Sequence, residues 1–237
     1  MEIEALSGKT QPAGTTAVIE VVSDVVCPWC FIGKRRLEKA LALLDRRNVE
    51  VRWKAFQLNP GAPKAGMDRS EYRLRKFGSA AYAQQLEARV VTAGAEDGID
   101  FHFDRIERIP NTFDAHRLTW LAGKEGVQDA VVENLFRAYF IDAEDVGYSE
   151  VLRRIGLDSG LDPEKVDRLL AGDLGASEVV AEETYARLSG VNGVPTFFID
   201  GVPITSGAQK PELLASILRP ALDPAGAQCS IDDGTCA

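Results

Sequence analysis

Cys27-Pro28-Trp29-Cys30 is the stretch of this chain best equipped for chemistry. Two cysteines separated by two residues sit about one helical turn apart. One sulfur can then attack a disulfide and the other can resolve the mixed disulfide that results. The attacking species is the thiolate. Cysteines at helix N-termini ionise in a range of about 3.5–7.5, because free backbone N–H groups and the helix dipole favour an anion there. Cys27 is expected to be the nucleophile and Cys30 the resolving thiol, with Trp29 offering an exposed aromatic face to an unfolded or peptide substrate. The competing reading of a CxxC is half of a zinc site, which needs a second ligand pair. Cys229 and Cys236 have six residues between them, wider than the usual spacing of about two to four. His102 and His116 lie fourteen residues apart and far from both pairs. No metal is expected.

The motif needs a strand to deliver it and a helix that opens behind it. Residues 17–26, AVIEVVSDVV, are rich in Val and Ile and predict a strand running into Cys27. Leu37, Leu41 and Leu44 recur at helical spacing after it. Pro28 suits the first turn, where its missing N–H would have no partner anyway. Residues 49–56 alternate apolar and charged side chains and predict a second strand, making a βαβ unit with a right-handed crossover. Pro60, Gly61, Pro63 and Gly66 mark 57–67 as a loop. Helices are expected over 70–92, 112–124, 127–141, 149–157, 163–171 and 176–189. Asn111 and Thr112 are candidate caps, and Asp162-Pro163 is a cap followed by a first-turn proline. Phe101, His102 and Phe103 lie in a connection and read as packing residues. Strand character returns at 196–200. Asp200-Gly201 signals a hairpin turn, a short strand follows over 202–205, and a last helix over 210–219. From Pro220 the tail is small and polar. The predicted class is α/β, a split sheet with an inserted all-helical domain. Its parts are 15–61, the helical insertion 62–185, 186–220, and a tail over 221–237.

Composition narrows the partners. The chain has 237 residues, 45% hydrophobic and 27% charged, an ordinary globular mix. Its 36 acidic residues against 27 basic ones give a net charge of −9, which repels a phosphate backbone, so nucleic acid is not an expected partner. No apolar run approaches the roughly 20 residues of a membrane span. The first residues, MEIEALSGKTQPAGTT, have no basic region followed by an apolar one, so a cytoplasmic location is expected. There, paired cysteines are more often catalytic or metal-binding than structural.

Four segments together resemble the FrnE-like branch of the DsbA-type thioredoxin-fold oxidoreductases: VVSDVVCPWCFIGKRRLEKAL, WKAFQLNP, NTFDAHRL and GVNGVPTFFIDG. The likeness spans residues 17–219. It implies a thioredoxin fold with an inserted helical domain, Cys27 as nucleophile, Cys30 as resolving cysteine, and a cis-proline at Pro195 beside them. Such a bond would expose the backbone of Val194 for pairing with an extended peptide, in the manner of an added strand. Expected partners are protein or peptide thiols and disulfides, with glutathione as a further candidate, and no bound cofactor is needed. Relatives with the same insertion, the kappa-class glutathione transferases and hydroxychromene-carboxylate isomerases, use glutathione on small aromatic molecules but generally carry a lone Ser or Cys at this position. A chaperone-like peptide-binding module around Trp29 and Pro195 is the non-enzymatic alternative.

The chain departs from the thioredoxin pattern in one place. The buried acid expected six residues before the nucleophile is Val21 here. Asp24 and Lys54 are the candidates to replace it, although Asp24 could equally be a strand-end residue facing water. His116 reads as a core or capping residue, or as a groove residue if the insertion closes over Cys27. Cys229 and Cys236 allow three readings: an accessory redox pair, a local structural disulfide, or two free thiols. Nine residues from Pro220 to Cys229 reach at most about 30 Å.

Overall fold

The computed structural model describes residues 17–44 and 49–222. β1 (Ala17–Ser23) leads to α1 (Pro28–Leu43), which returns the chain to β2 (Val49–Ala55). β2 pairs parallel with β1 from Ala17↔Val49 to Ser23↔Ala55. The chain then leaves the sheet through β3 (Met67–Asp68), α2 (Arg69–Phe77), α3 (Ala80–Glu96), β4 (Arg108–Ile109), α4 (Phe113–Glu125), α5 (Gln128–Phe140), α6 (Ser149–Asp158), α7 (Pro163–Ala171) and α8 (Ala176–Leu188). It re-enters with β5 (Thr196–Ile199), β6 (Val202–Ser206) and α9 (Pro211–Leu222). β5 runs antiparallel to β1, and the sheet order is β2-β1-β5-β6. Strands from 17–55 and from 196–206 thus share one sheet, and the helical block interrupts it. This is the predicted α/β class, a thioredoxin fold with a helical insertion, but the insertion is not all-helical: β3 and β4 pair antiparallel (Met67↔Ile109, Asp68↔Arg108), because the segments entering and leaving the α2–α3 pair meet there.

The insertion is welded to the motif helix by aromatic packing. Phe31 on α1 stacks on Phe136 of α5 at 5.1 Å and meets Phe101 edge-on at 6.1 Å. Trp53 of β2 meets the same Phe136 at 6.3 Å. Such pairs add about 0.5–1.5 kcal/mol each beyond the area they bury. Phe31 is the residue directly after Cys30, so this packing locks the register of the motif helix against the insertion.

Several elements differ from the sequence expectation, each for a local reason. β1 stops at Ser23, because Asp24 to Cys27 closes a turn in which the Cys27 N–H donates to the Asp24 carbonyl at 3.0 Å. The strand therefore does not run into Cys27. The helix expected over 70–92 is two helices. Gly78 takes a left-handed conformation (φ 78°) that ends α2, and Ser79 caps α3 by accepting from the Tyr82 N–H. Thr112 makes no side-chain cap, and Asn111 Oδ1 instead accepts from the Phe113 N–H at 3.0 Å. The polar tail begins later than Pro220. α9 continues to Leu222, whose side chain is buried together with Leu218, and that apolar contact outweighs the hydrogen bond lost at proline. The Asp162 cap and the Asp200-Gly201 turn stand as predicted, the latter with φ 51° and 76°. Cys229 and Cys236 lie outside the described residues.

Candidate functional site

The motif sits where β1, α1 and the β5 entry meet. Cys27 is the N-cap of α1, with extended backbone (φ −93°, ψ 111°), and Pro28 occupies the first turn. The Cys27 carbonyl accepts from the N–H groups of Cys30 (2.9 Å) and Phe31 (3.4 Å), so the helix begins at the motif itself. Both cysteines are free thiols. Cys27 is 5% exposed and Cys30 is fully enclosed, while Trp29 stands 38% exposed beside them. Burial pushes the Cys30 thiol well above its ordinary range. Its hydrogen bond and proximity to the Cys27 sulfur add to this, against lowering contributions from the Ser23 hydroxyl and the Asp24 backbone.

The Val194–Pro195 peptide bond is cis. The Cys27 thiol donates to the Val194 carbonyl at 3.5 Å, across 167 residues of sequence. Gly33 explains how α1 comes so close. A Cβ there would lie 2.8 Å from Pro195 Cγ and 3.8 Å from the Phe197 ring, so only glycine lets the second turn of the helix rest on this proline. Nothing in a lone Gly33 within a helical pattern signalled that contact.

Asp24 faces inward rather than toward water, and is fully buried. Its Oδ2 accepts from the Leu58 N–H at 2.7 Å, because the chain after β2 folds back over the turn. His116 Nε2 stands 3.4 Å from Asp24 Oδ1 but finds no hydrogen bond of good geometry. His116 is 4% exposed and does not line the groove. It belongs to the inward face of α4, with Ala115 and Leu118. Val21 is buried between Trp53 and Phe197 in the sheet, an apolar site with no proton to give. Lys54 faces elsewhere, paired with Glu182 (3.1 Å) and Glu20 (3.5 Å). Of the two candidate substitutes for the missing acid, Asp24 is thus near the motif and Lys54 is not.

In front of Cys27 opens a groove of about 470 Å³ between the motif and the α2–α3 pair. Cys27, Trp29, Leu58, Gly193 and Val194 form one side. Phe77, Leu86, Val90, Phe103 and Phe140 supply an apolar floor, and Arg69, Arg73, Lys76 and Arg89 a cationic margin with Glu87. Arg69 and Arg73 share Glu87 (2.8 Å from Arg73), and Arg69 lies 5.5 Å over the Phe103 ring. Burial pulls the Arg69 guanidinium down from its ordinary value, and Arg73 beside it adds to the fall against the pull of Glu87. Sequence reasoning missed these cations, although Arg69, Arg73 and Lys76 follow the i, i+4, i+7 spacing of one helical face. Among the described residues no three His, Cys, Asp or Glu side chains gather to hold a metal ion, and no helix is long and apolar enough to cross a membrane.

Comparison with known proteins agrees with this geometry. The model of the DSBA-like thioredoxin domain matches residues 18–219. A probable DsbA oxidoreductase from Streptomyces coelicolor superposes with a TM-score of 0.81 at 34% identity, over 93% of this chain and 96% of that one. The cytosolic disulfide reductase DsbM from Pseudomonas aeruginosa, solved with glutathione, shares the fold at 18% identity (TM-score 0.59, 86% and 98% of the two chains). The uncharacterized protein YwbO of Bacillus subtilis is 24% identical over 197 residues, 82% of this chain and 92% of its own length. An N-cap cysteine paired with a buried one, set against a distant proline in a sheet split by helices, is therefore the motif of a chain that belongs to the DsbA-like thioredoxin-domain family.

Proposed function

We propose that this chain is a dithiol–disulfide oxidoreductase acting on protein or peptide disulfides through Cys27 and Cys30. The observation that carries this reading is the asymmetry of the pair. Cys27 caps a helix at the mouth of an apolar groove, 3.5 Å from the Val194 carbonyl, whereas Cys30 is enclosed and held protonated.

In the reducing direction, the Cys27 thiolate attacks one substrate sulfur. The substrate S–S bond breaks, and the departing sulfur takes a proton as a thiol. The mixed disulfide leaves Cys27 without charge, which removes one of the causes that hold the Cys30 proton in place. Cys30 then loses its proton and attacks Cys27 Sγ. The second substrate thiol leaves, and two electrons have passed to the substrate as the Cys27–Cys30 disulfide forms. Oxidation of a substrate dithiol is the same sequence reversed. Val194 and Pro195 present backbone beside the reacting sulfur, where an extended peptide can pair, and Trp29 supplies apolar contact.

The pair of cysteines favours this reading over a glutathione-dependent transferase, whose chemistry needs one activated group. A chaperone module would not need either thiol. Cys27→Ser is expected to abolish insulin reduction and refolding of a scrambled disulfide substrate. Cys30→Ser is expected to accumulate a covalent mixed disulfide. Full activity in Cys27→Ser refutes the assignment, and aggregation suppression that survives loss of both thiols supports the chaperone instead.

A further inference from the structure

The groove in front of Cys27 has a charge that the rest of the chain does not predict. The protein carries 36 acidic and 27 basic residues, yet the groove is lined by four cationic side chains, Arg69, Arg73, Lys76 and Arg89, and one carboxylate, Glu87. Three of the four lie on one face of α2 by their i, i+4, i+7 spacing. Glu87 is committed to Arg69 and Arg73. Lys76 donates to the Tyr72 hydroxyl at 2.7 Å and lies over the Tyr72 and Phe77 rings. Arg89 is exposed. Among the described residues neither Lys76 nor Arg89 has a carboxylate partner. The same groove that reaches the motif is also lined by the apolar side chains of Phe77, Leu86, Val90 and Phe103, which we call its floor.

We infer that the groove selects a cysteine-bearing peptide segment in which acidic and apolar side chains flank the reacting sulfur. This rests on the oxidoreductase reading and names its substrate class. The cations are matched by carboxylates, and steering by the local field raises the encounter rate of an anionic segment despite the acidic surface elsewhere. The apolar floor is matched by apolar side chains, which sets this occupant apart from glutathione disulfide, whose carboxylates would meet the cations while leaving the floor uncovered. An extended segment beside Val194 alternates its side chains between two faces, so one face can meet the floor while backbone pairs at the motif.

The test uses three peptide disulfides with the same apolar flanks and glutamate, glutamine or lysine at the remaining positions, with glutathione disulfide as a fourth substrate. In the wild-type protein kcat/KM is expected to follow glutamate over glutamine over lysine, with the preference shrinking as ionic strength rises from about 0.02 to 0.5 M. Arg89→Gln and Lys76→Gln are each expected to lower the glutamate-over-glutamine ratio by about 1.5- to 5-fold, the range for an exposed ion pair. Equal turnover of the three peptides, or a ratio that neither substitution moves, overturns the inference while leaving the oxidoreductase reading intact. Glutathione disulfide turned over as well as the glutamate peptide, with the same sensitivity to Arg89→Gln, overturns the peptide as occupant. Failure of the wild-type protein to turn over any of the four sinks the underlying reading instead.

Discussion

Gly33→Ala tests the contact that joins the motif helix to the proline 162 positions away in sequence. The added Cβ would lie 2.8 Å from Pro195 Cγ, about 0.7–1.2 Å inside a normal carbon–carbon contact of about 3.5–4.0 Å. Pro195 cannot swing aside, because its ring is closed and its φ is fixed. Its β-carbon is 3.5 Å away and the Phe197 ring closes the third side at 3.8 Å. Either α1 or the Val194–Pro195 segment must move. Overpacking of this kind costs about 1–3 kcal/mol, and alanine in a helix returns about 1 kcal/mol relative to glycine. The net loss is then up to about 2 kcal/mol. At about 2–4 °C per kcal/mol for a chain of this size, the melting temperature falls by up to about 8 °C. Activity should suffer more than stability. The displaced segment carries the Val194 carbonyl, 3.5 Å from Cys27 Sγ, and a misplacement of about 1 Å can cost about 100-fold. Insulin reduction and thermal unfolding of the reduced protein measure the two effects. In a Pro195→Ala background the clash is relieved, so the same substitution should cost less, with a coupling of about 0.5–3 kcal/mol. A Gly33→Ala protein with wild-type kcat/KM and a melting temperature within about 1 °C would refute the reasoning.

Three other outcomes follow from the site. The raised Cys30 pKa stabilises the reduced fold fully below the unfolded thiol value near 8.5. Above that, the unfolded chain binds fewer protons than the folded one, so stability should fall with pH by up to about 1.4 kcal/mol per unit. Urea titrations should show this slope between about pH 8.5 and 10, and Cys30→Ala should flatten it. Tyr139, whose phenol burial also holds well up, adds a fall of the same sign only above its ordinary range. Asp24→Ala leaves the Leu58 N–H without its acceptor at 2.7 Å and should cost about 1–3 kcal/mol. Asp24→Asn keeps an acceptor there and should cost clearly less, so equal losses in the two would sink the hydrogen-bond account. Trp29→Ala should weaken peptide turnover by about 1–2 kcal/mol in kcat/KM while sparing a small aromatic disulfide reagent, and equal effects on both would refute a peptide-contact role.

The motif, the elements around it and the split of the sheet could be read from the chain, because each leaves a local mark. Val and Ile in β1, the Leu37–Leu41–Leu44 spacing in α1, the Asp162-Pro163 cap and the Asp200-Gly201 turn depend on residues within one element. Pro195 was placed beside Cys27 only through the family resemblance. No property of the intervening residues encodes the contact of Cys27 with Val194, the residue before that proline, across 167 positions.

Burial was the main thing decided elsewhere. A carboxylate three residues before Cys27 could be a strand end facing water, and Asp24 is enclosed only because 56–58 folds back over the turn and offers a backbone N–H. His116 shows the same dependence, turned inward by the packing of α4 rather than toward the groove. The helical face of Arg69, Arg73 and Lys76 was present in the sequence as spacing. Its meaning was not, since spacing tells which side chains share a face and not what that face looks upon. The sequence by itself determined a redox-capable cysteine pair on a helix N-terminus within an α/β chain. Only the tertiary structure decided which sulfur is enclosed, which acid is buried beside it, and which charges line its approach. Those properties depend on groups brought together from distant parts of the chain, where desolvation and electrostatic fields arise.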